Sequence, residues 1–535
     1  MLKRWIQVLC TLVVVSCSAE GTDAQAQSPE PRSPQSGGER HVESVRELEA
    51  QVAALEAEIA GSRRRLAAML GHEFLGDVAP TPGPLAEFEI VETTATPSRQ
   101  DSDYPDCIVV HLARWRGGSA GVPEEFLVAS LGFRNRQLRV ASSLLAGDVV
   151  EAQLIPWEKF DESVRTIQRV DSLDRFDLPL FGAIDLHRRR ELEQVDIVPL
   201  PSSGARTQAE EIAAYTAAIE AKLAEHGSWE DWIEGLGPVY HELAELTKQG
   251  PVTLEDRWTF RGPSYFYASR TPDAWASGLA AITSLRDQLR ALGIELVVVP
   301  FPAKEHVVAS KFTKATPADG IFDPMRLQLH LAMLRAGLEV VDLLPAFLER
   351  RDDYEHLYYD GNDNHPARGA IEVASRVVAE RLRRYELKPE FDTVFVGKLR
   401  HGIPWSCDAF PKRAHAGAVY EASVVLDADR TEFEWSNPSS ELLAVGDSFL
   451  GVPRPYGVLS ADFLAHLAQG TGLLARRLQV GGGAPKILVH MAKAGRSLTK
   501  GARVCVLVFR EGYIVPRDPT LESRIWEIAT LPGDD

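Results

Sequence analysis

The chain has 535 residues, with 58 Lys and Arg against 76 Asp and Glu, a net charge of −18. So acidic a balance argues against a nucleic-acid binder, which needs a basic surface to neutralise phosphates, and against electrostatic docking on anionic lipid. The length calls for two or more domains, and 45% hydrophobic with 25% charged content is that of globular protein.

The chain opens like an export signal. Lys3 and Arg4 precede a short apolar run, Ile6 to Val15, and Val14-Val15-Ser16-Cys17 has the form of a bacterial lipobox. Residues 1–17 are therefore expected to be a lipoprotein signal peptide, with Cys17 the lipidated residue. An uncleaved anchor, or cleavage near Ala24-Gln25-Ala26, are the alternatives. Each places the body of the protein outside a bacterial cytoplasm, in the periplasm or at the cell surface. With Cys10 removed and Cys17 lipidated, Cys107, Cys407 and Cys505 remain, enough for one disulfide whose pairing the spacing leaves open. No His, Cys, Asp or Glu spacing suggests a metal site, and no cofactor is expected.

Residues 18–41, rich in Ser, Gln, Pro and Gly, read as a flexible linker. Over 42–71, Val45, Val52, Ile59 and Leu66 recur at one seam position and Leu48, Leu55, Ser62 and Met69 at another. This heptad predicts a coiled coil that would join copies of the chain, about 40 Å long at 1.5 Å per residue; a lone amphipathic helix is the alternative.

Residues 84–200 are expected to form a small β-rich domain, a barrel or sandwich and OB-like in spacing. The runs Ile108–Leu112, Phe126–Ser130, Leu138–Val140 and Val149–Ile155 are short and separated by turn residues. Trp115 and Trp157 are either sugar platforms or core. Residues 205–250 read as a connector of two helices, the first with Ile212, Tyr215, Ile219 and Leu223 on one face, the second starting at Trp229.

Across 251–520 the pattern alternates between helix and strand, which predicts an α/β domain with a parallel sheet covered on both faces. Expected helices are Trp275–Leu289, stopped by Gly293, then Leu327–Leu334, and Ala367–Leu382 with Pro366 in its first turn. Expected strands are 294–299, 338–344, 442–445, 487–490 and 504–509. Residues 387–440, with Trp405, Cys407, Pro411 and Trp435, interrupt the rhythm and suggest an insertion lining the cleft.

Two short motifs carry chemistry. The apolar run Leu442–Val445 stops at Gly446, and Asp447-Ser448 follow. A serine at the carboxyl end of a parallel strand lies where open α/β sheets bind ligands, and its hydroxyl needs a base. Asp363-Asn364-His365, before a predicted helix, supplies one. Either motif alone has a bland reading as a polar helix cap.

Together these residues, with Asp-x-His ahead of Gly-Asp-Ser, resemble the SGNH-hydrolase-like domain of the alginate O-acetyltransferase (AlgX/AlgJ) group. The stretch 289–304, ending in Pro300-x-Pro302-x-Lys304, resembles that group too, although Pro366 stands where many members carry Trp. The resemblance implies an SGNH-like three-layer α/β/α domain. It implies Ser448 as nucleophile, His365 as base, Asp363 as its orienting carboxylate, and the Ser448 backbone N–H as an oxyanion donor. Lys304 would hold a substrate oxygen or be a solvated lysine, Asp447 would fix the serine loop or touch substrate, and Tyr359 would shape the pocket or pack in the core. The implied reaction is acetyl transfer to a polysaccharide acceptor from a donor delivered by a membrane-bound O-acyltransferase. The acidic composition favours a neutral polymer as acceptor. A carbohydrate esterase, and a non-catalytic lipid-anchored scaffold of a polysaccharide export complex, are the rival readings.

Overall fold

The computed structural model describes residues 86–531 except 98–101, 118–121, 135–136, 161, 190–191, 199–200, 255–257, 268–271, 318, 362, 403–417, 428–434, 455–457, 482 and 516–525. The signal peptide with Cys17, the linker and the coiled coil lie outside the described residues, as do Trp405, Cys407 and Pro411.

The first domain holds strands β1 (Ala86–Thr93), β2 (Cys107–Gly117), β3 (Glu125–Arg134), β4 (Gln137–Leu138), β5 (Val149–Pro156), β6 (Gln168–Val170) and β7 (Leu180–Arg188), with helix α1 (Glu162–Arg165) between β5 and β6. The long strands close on themselves in the order β1-β2-β3-β7-β5, with β3 and β7 parallel at the seam. This is the order of an OB-type Greek-key barrel. Leu138–Val140 contributes only the two-residue β4, because the chain turns at once into a 3-10 helix. Alternation sends Phe88, Ile90, Val109, Phe126 and Val150 inward. The outer face of β2 and β3, which OB folds use for oligosaccharides, is instead covered. Ile108, Val110, Leu127 and Ala129 pack under Phe160, Val164 and Leu173 from the β5–β7 connection. Trp157 belongs to that cover, 5.5 Å from Phe160 between ring centroids, and Trp115 packs against the interior cluster. Both tryptophans are packing residues.

Strand β8 (Leu192–Asp196) leads to three helices where two are expected: α2 (Gln208–His226), α3 (Trp229–Gly235) and α4 (Gly237–Leu246). Thr207 caps α2 in a capping box with Glu210. The extra break falls at Gly235-Leu236-Gly237-Pro238, where Pro238 enters the first turn of α4. Trp232 is buried and stacks on His226 at 4.0 Å.

Beyond the short hairpin β9 (Val252–Thr253) and β10 (Thr259–Phe260) come α5 (Ala276–Ala291), β11 (Glu295–Phe301), α6 (Lys304–Val308), α7 (Pro324–Arg335), β12 (Glu339–Val340), α8 (Leu344–Arg350) and α9 (Arg368–Leu382). They are followed by β13 (Thr393–Gly402), β14 (Val419–Leu426), β15 (Leu442–Gly446), α10 (Phe463–Thr471), β16 (Arg476–Gln479), α11 (Ile487–Ala494), α12 (Arg496–Thr499) and β17 (Val504–Arg510). Strands β12-β11-β17-β15-β16 form one sheet in which every pairing is parallel. Side chains alternate between its faces. Val297, Val299 and Phe301 meet α9 and α10 in one core, while Leu296 and Val298 meet α5, α7 and α11 in another.

Four expectations are corrected. Ile487–His490 starts a helix, not a strand: a four-residue apolar run does not separate the two, and here Ile487, Leu488 and Met491 form a buried helical face. The expected strand 338–344 is only two residues long, because α8 begins at Leu344. Within 387–440 the described residues include two strands that sequence periodicity did not show, β13 pairing antiparallel with β14 and with β8. Pro366 stands ahead of α9, whose N-cap is Ala367, and pairs with Tyr358. Cys107 and Cys505 are free and buried in separate cores. Burial pushes both thiols up, Cys107 to about 12.

Candidate active site

The site begins with a loop that folds back on itself. Tyr359 N–H donates to the His365 carbonyl at 3.2 Å and Ala367 N–H to the Leu357 carbonyl at 2.8 Å, closing residues 357–367 into a narrow finger. Gly361, at φ +59, turns its tip, and its N–H donates to Thr259 Oγ1 at 3.1 Å. Tyr358 Oη donates to the Pro302 carbonyl at 2.7 Å, tying the finger to the end of β11.

Lys304 holds the finger from inside. It is 1% exposed, so neither a solvated lysine nor an open substrate contact describes it. Its ammonium faces the carbonyls of Tyr359, Gly361 and Asp363 at 2.7, 3.2 and 3.4 Å. An ammonium has three N–H donors. Burial pulls its pKa down to about 8, against the opposing pull of Glu305 and Asp363. The adjacent Glu305, fully buried, is paired with Arg261, whose Nη2 lies 2.7 Å from Oε2. Burial opposes ionisation of Glu305, but Arg261 outweighs it and the carboxyl lies below its ordinary value.

Asp363 and His365 leave the finger on the same side. Asp363, fully buried, accepts the His365 backbone N–H at 2.8 Å and lies 2.7 Å from Nδ1, both through Oδ1. An ionised carboxylate only accepts, so Nδ1 carries the proton and Nε2 is left as the acceptor. Nε2 lies 2.9 Å from Ser448 Oγ. Phe449 packs against the imidazole, with 5.4 Å between ring centroids.

Ser448 is delivered by β15. Gly446 is needed there because a Cβ would lie 2.3 Å from the Val508 carbonyl oxygen of the neighbouring strand. Asp447 then fixes the turn. Its Oδ1 accepts the Phe449 N–H at 2.8 Å and its Oδ2 the Arg510 N–H at 2.9 Å, so both oxygens face backbone. Burial pushes its pKa up to about 6 despite those two donors. Tyr359 is buried, with Oη 3.3 Å from His401 Nε2 and its ring edge-on to Tyr420 at 4.7 Å. It packs behind the finger.

The structure thus brings Asp363, His365 and Ser448 into one hydrogen-bonded row. Lys304, Asp447 and Tyr359 stand behind that row as supports. Sequence reading missed the Arg261–Glu305 pair; its only signal was Glu305 following Lys304. Among the described residues no group of His, Cys, Asp and Glu is arranged to hold a metal ion, and no helix is long and apolar enough to cross a membrane.

Residues 252–399 match the family model "SGNH hydrolase-like domain, acetyltransferase AlgX", which takes in Lys304, Asp363 and His365 and stops short of Ser448. The chain is 32% identical over 202 residues to "Alginate biosynthesis protein AlgX" of Pseudomonas aeruginosa, covering 36% of this chain and 41% of the relative. It is 26% identical over 161 residues to "Probable alginate O-acetylase AlgJ" of Pseudomonas putida, covering 30% of this chain and 41% of that relative. The chain therefore spans about two fifths of the length of these relatives. Among solved structures, it is similar to the O-acetyltransferase domain of Pseudomonas putida AlgJ, at 22% identity and a TM-score of 0.38, over 50% of this chain and 92% of that one. It is also similar to Pseudomonas aeruginosa AlgX, at 20% identity and a TM-score of 0.34, over 49% and 61%. The family resemblance is borne out over residues 252–399, where Asp-x-His and Pro-x-Pro-x-Lys fall inside the match to the SGNH-hydrolase-like domain of AlgX.

Proposed function

We propose that this chain is an exported polysaccharide O-acetyltransferase that works through an acetyl-Ser448 intermediate, on an SGNH-like three-layer domain. The observation that carries the reading is the unbroken row Asp363 Oδ1, His365 Nδ1, His365 Nε2, Ser448 Oγ, with steps of 2.7 and 2.9 Å. The fixed tautomer gives His365 a lone pair directed at the serine hydroxyl. As an acetyl carbonyl is attacked, the Oγ–C bond forms and the Oγ proton passes to Nε2. Asp363 steadies the imidazolium. The Ser448 backbone N–H is offered as a donor to the oxyanion, a role worth about 10²–10³ in rate. When the tetrahedral centre collapses, the bond to the donor oxygen breaks and that oxygen takes the proton from Nε2. A sugar hydroxyl then attacks the acetyl-serine as His365 Nε2 takes its proton; the C–Oγ bond breaks, Nε2 returns the proton to Ser448 Oγ, and the acetylated sugar leaves.

The names of the relatives point to alginate, whereas the charge of −18 favours a neutral acceptor. The proposed setting is the periplasm or cell surface, with a lipid anchor at Cys17, self-association through residues 42–71, and an acetyl supply from a membrane-bound O-acyltransferase.

The test is turnover of a chromogenic acetyl ester by the chain and its Ser448→Ala form, with and without oligosaccharides, followed by mass spectrometry of protein and sugars. An acetyl adduct on Ser448 and acetylated sugar are expected. Ser448-dependent turnover indifferent to every sugar makes the protein an esterase. Equal turnover by both forms removes Ser448 from the mechanism.

A further inference from the structure

Arg510 is a cation without a counter-charge. Among the described residues none gives its guanidinium an ion pair or a hydrogen bond, although the chain has 76 acidic against 58 basic residues. The residue is half-buried. Burial, and then repulsion by the Arg261 guanidinium, hold it below its ordinary pKa. Glu305, the carboxylate that acts on it, is taken by Arg261, which also lies over the Tyr265 ring at 3.9 Å. A charge kept partly out of water and unpaired costs stability, and such groups cluster where a ligand brings the missing partner.

The position is beside the nucleophile. Strand β17 lies between β11 and β15, with Arg510 opposite Phe301 and Val508 opposite Gly446. Arg510 is two residues beyond Val508, as Ser448 is two beyond Gly446, on strands about 4.8 Å apart. Its backbone N–H donates to Asp447 at 2.9 Å. Alternation puts Val504, Val506 and Val508 in the core that holds Phe301 and Phe449, and so puts Arg510 on that face of the sheet. Phe301 meets Phe449 at 5.5 Å between ring centroids. Gly512 faces one flank of the guanidinium with no side chain. A Cβ there would have Nε, Nη2 and Cζ of Arg510 as its nearest neighbours, at 3.5, 3.6 and 3.7 Å.

We propose that Arg510 binds an anionic oxygen group, a carboxylate or phosphate, carried on the leaving side of the acetyl donor. A guanidinium meets such groups with two parallel N–H donors. The acceptor proposed for this chain is neutral, so the charge arrives with the donor. Arg510 holds that charge while the acetyl carbon is presented to Ser448 on the adjoining strand. The inference rests on the acetyl-Ser448 reading.

The test compares two chromogenic donors that differ by one carboxylate, 4-nitrophenyl acetate and 3-carboxy-4-nitrophenyl acetate, with the full chain. Arg510→Met removes the charge, Arg510→Lys keeps it, and Gly512→Leu covers the guanidinium. The ratio of kcat/KM, anionic over neutral ester, should be about tenfold or more lower in Arg510→Met and Gly512→Leu than in wild type, the worth of a hydrogen bond to a charged group, and be largely kept in Arg510→Lys. The ratio cancels the intrinsic reactivity of the esters and any general loss of activity. If Arg510→Met turns over neither ester, the Gly512→Leu ratio decides in the same way. A ratio equal to wild type in these variants, with turnover abolished in Ser448→Ala, overturns the anion site and leaves the acetyl-serine reading standing. Undiminished turnover of both esters by Ser448→Ala overturns that reading and this inference with it. With the neutral ester as donor, a preference for D-glucuronate over D-glucose as acceptor that disappears in Arg510→Met overturns the assignment to the donor and moves the anion to the acceptor.

Discussion

Lys304→Met separates the positioning of the base from the stability of the fold. Methionine replaces most of the stem and removes the three ammonium contacts at 2.7, 3.2 and 3.4 Å. A good hydrogen bond to a charged group contributes about 1.5–3 kcal/mol; with the short contact counted in full and the two longer ones together as one, about 3–6 kcal/mol is lost. Against this stands the cost of keeping a cation buried. A pKa drawn from 10.5 to about 8 corresponds to about 3 kcal/mol. The net loss of stability is therefore about 0–3 kcal/mol. The local effect is larger, because three finger carbonyls lose their shared donor while Asp363 and His365 hang from the same finger. Misplacement by about 1 Å costs on the order of 10² in rate. The expected result is an acetyl-ester kcat about a hundredfold lower, a small change in the denaturation midpoint, and faster amide exchange confined to 357–367.

The pH dependence adds a second readout. The folded pKa lies below the unfolded value, so the unfolded state holds more protons between about pH 8 and 10.5. This lysine then makes global stability rise with pH across that window. The finger behaves oppositely, since above about pH 8 a neutral amine has two N–H donors for three carbonyls. Wild-type activity should fall on that alkaline limb while stability from this group does not, and Lys304→Met should lack the limb. A Lys304→Met enzyme with wild-type kcat and unchanged exchange in 357–367 refutes the clamp.

Arg261→Met leaves Glu305 fully buried without its cation and should cost about 3–5 kcal/mol by denaturation; adding Glu305→Gln should recover most of it, and additive losses would refute the pairing. For Asp447 the folded pKa is raised, from 3.8 to about 6. Its contribution to stability is fully present below pH 3.8 and is lost as pH rises through about 6. Unfolding free energies across that window should therefore decline by up to about 3 kcal/mol more in wild type than in Asp447→Asn, and parallel pH profiles would refute the assignment. Gly446→Ala should cost about 1–3 kcal/mol and lower kcat disproportionately, because its methyl meets a backbone carbonyl that cannot step aside.

What the sequence made legible follows from where each residue finds its partners. Leu442–Gly446, Glu295–Phe301 and Val504–Arg510 are apolar runs bounded by turn residues, and they are the three central strands of the sheet. Strand β16 was hidden because its Arg476 and Arg477 read as surface. Their partners are the Ser440 carbonyl at 2.6 Å and Asp462 at 2.8 Å, supplied only by the fold. Strand β13 was hidden because His401 and Gly397 take inward positions that would normally be apolar. Lys304 shows the same limit within the site. Its place after Pro-x-Pro was visible, but its burial depends on carbonyls 55 to 59 residues away.

The order of the motifs along the chain matters less than the edge to which they return. The finger is tied to β11 through Pro302 and Lys304, and the serine turn is tied to β17 through Val508 and Arg510. Strand β17 lies between β11 and β15, so the two anchors sit on adjoining strands and their loops meet above the sheet. One 2.9 Å contact joins the two halves. Lys304→Met moves one end of it and Gly446→Ala the other. Once either end is displaced, displacing the second has little left to remove, as in groups that act as a unit. The double variant should therefore have a kcat within a few-fold of the poorer single, although its stability losses add, the substitutions acting on separate elements, α6 and β15. Multiplicative losses in kcat would mean that the two anchors serve separate steps, and that the row from Asp363 to Ser448 does not work as one device.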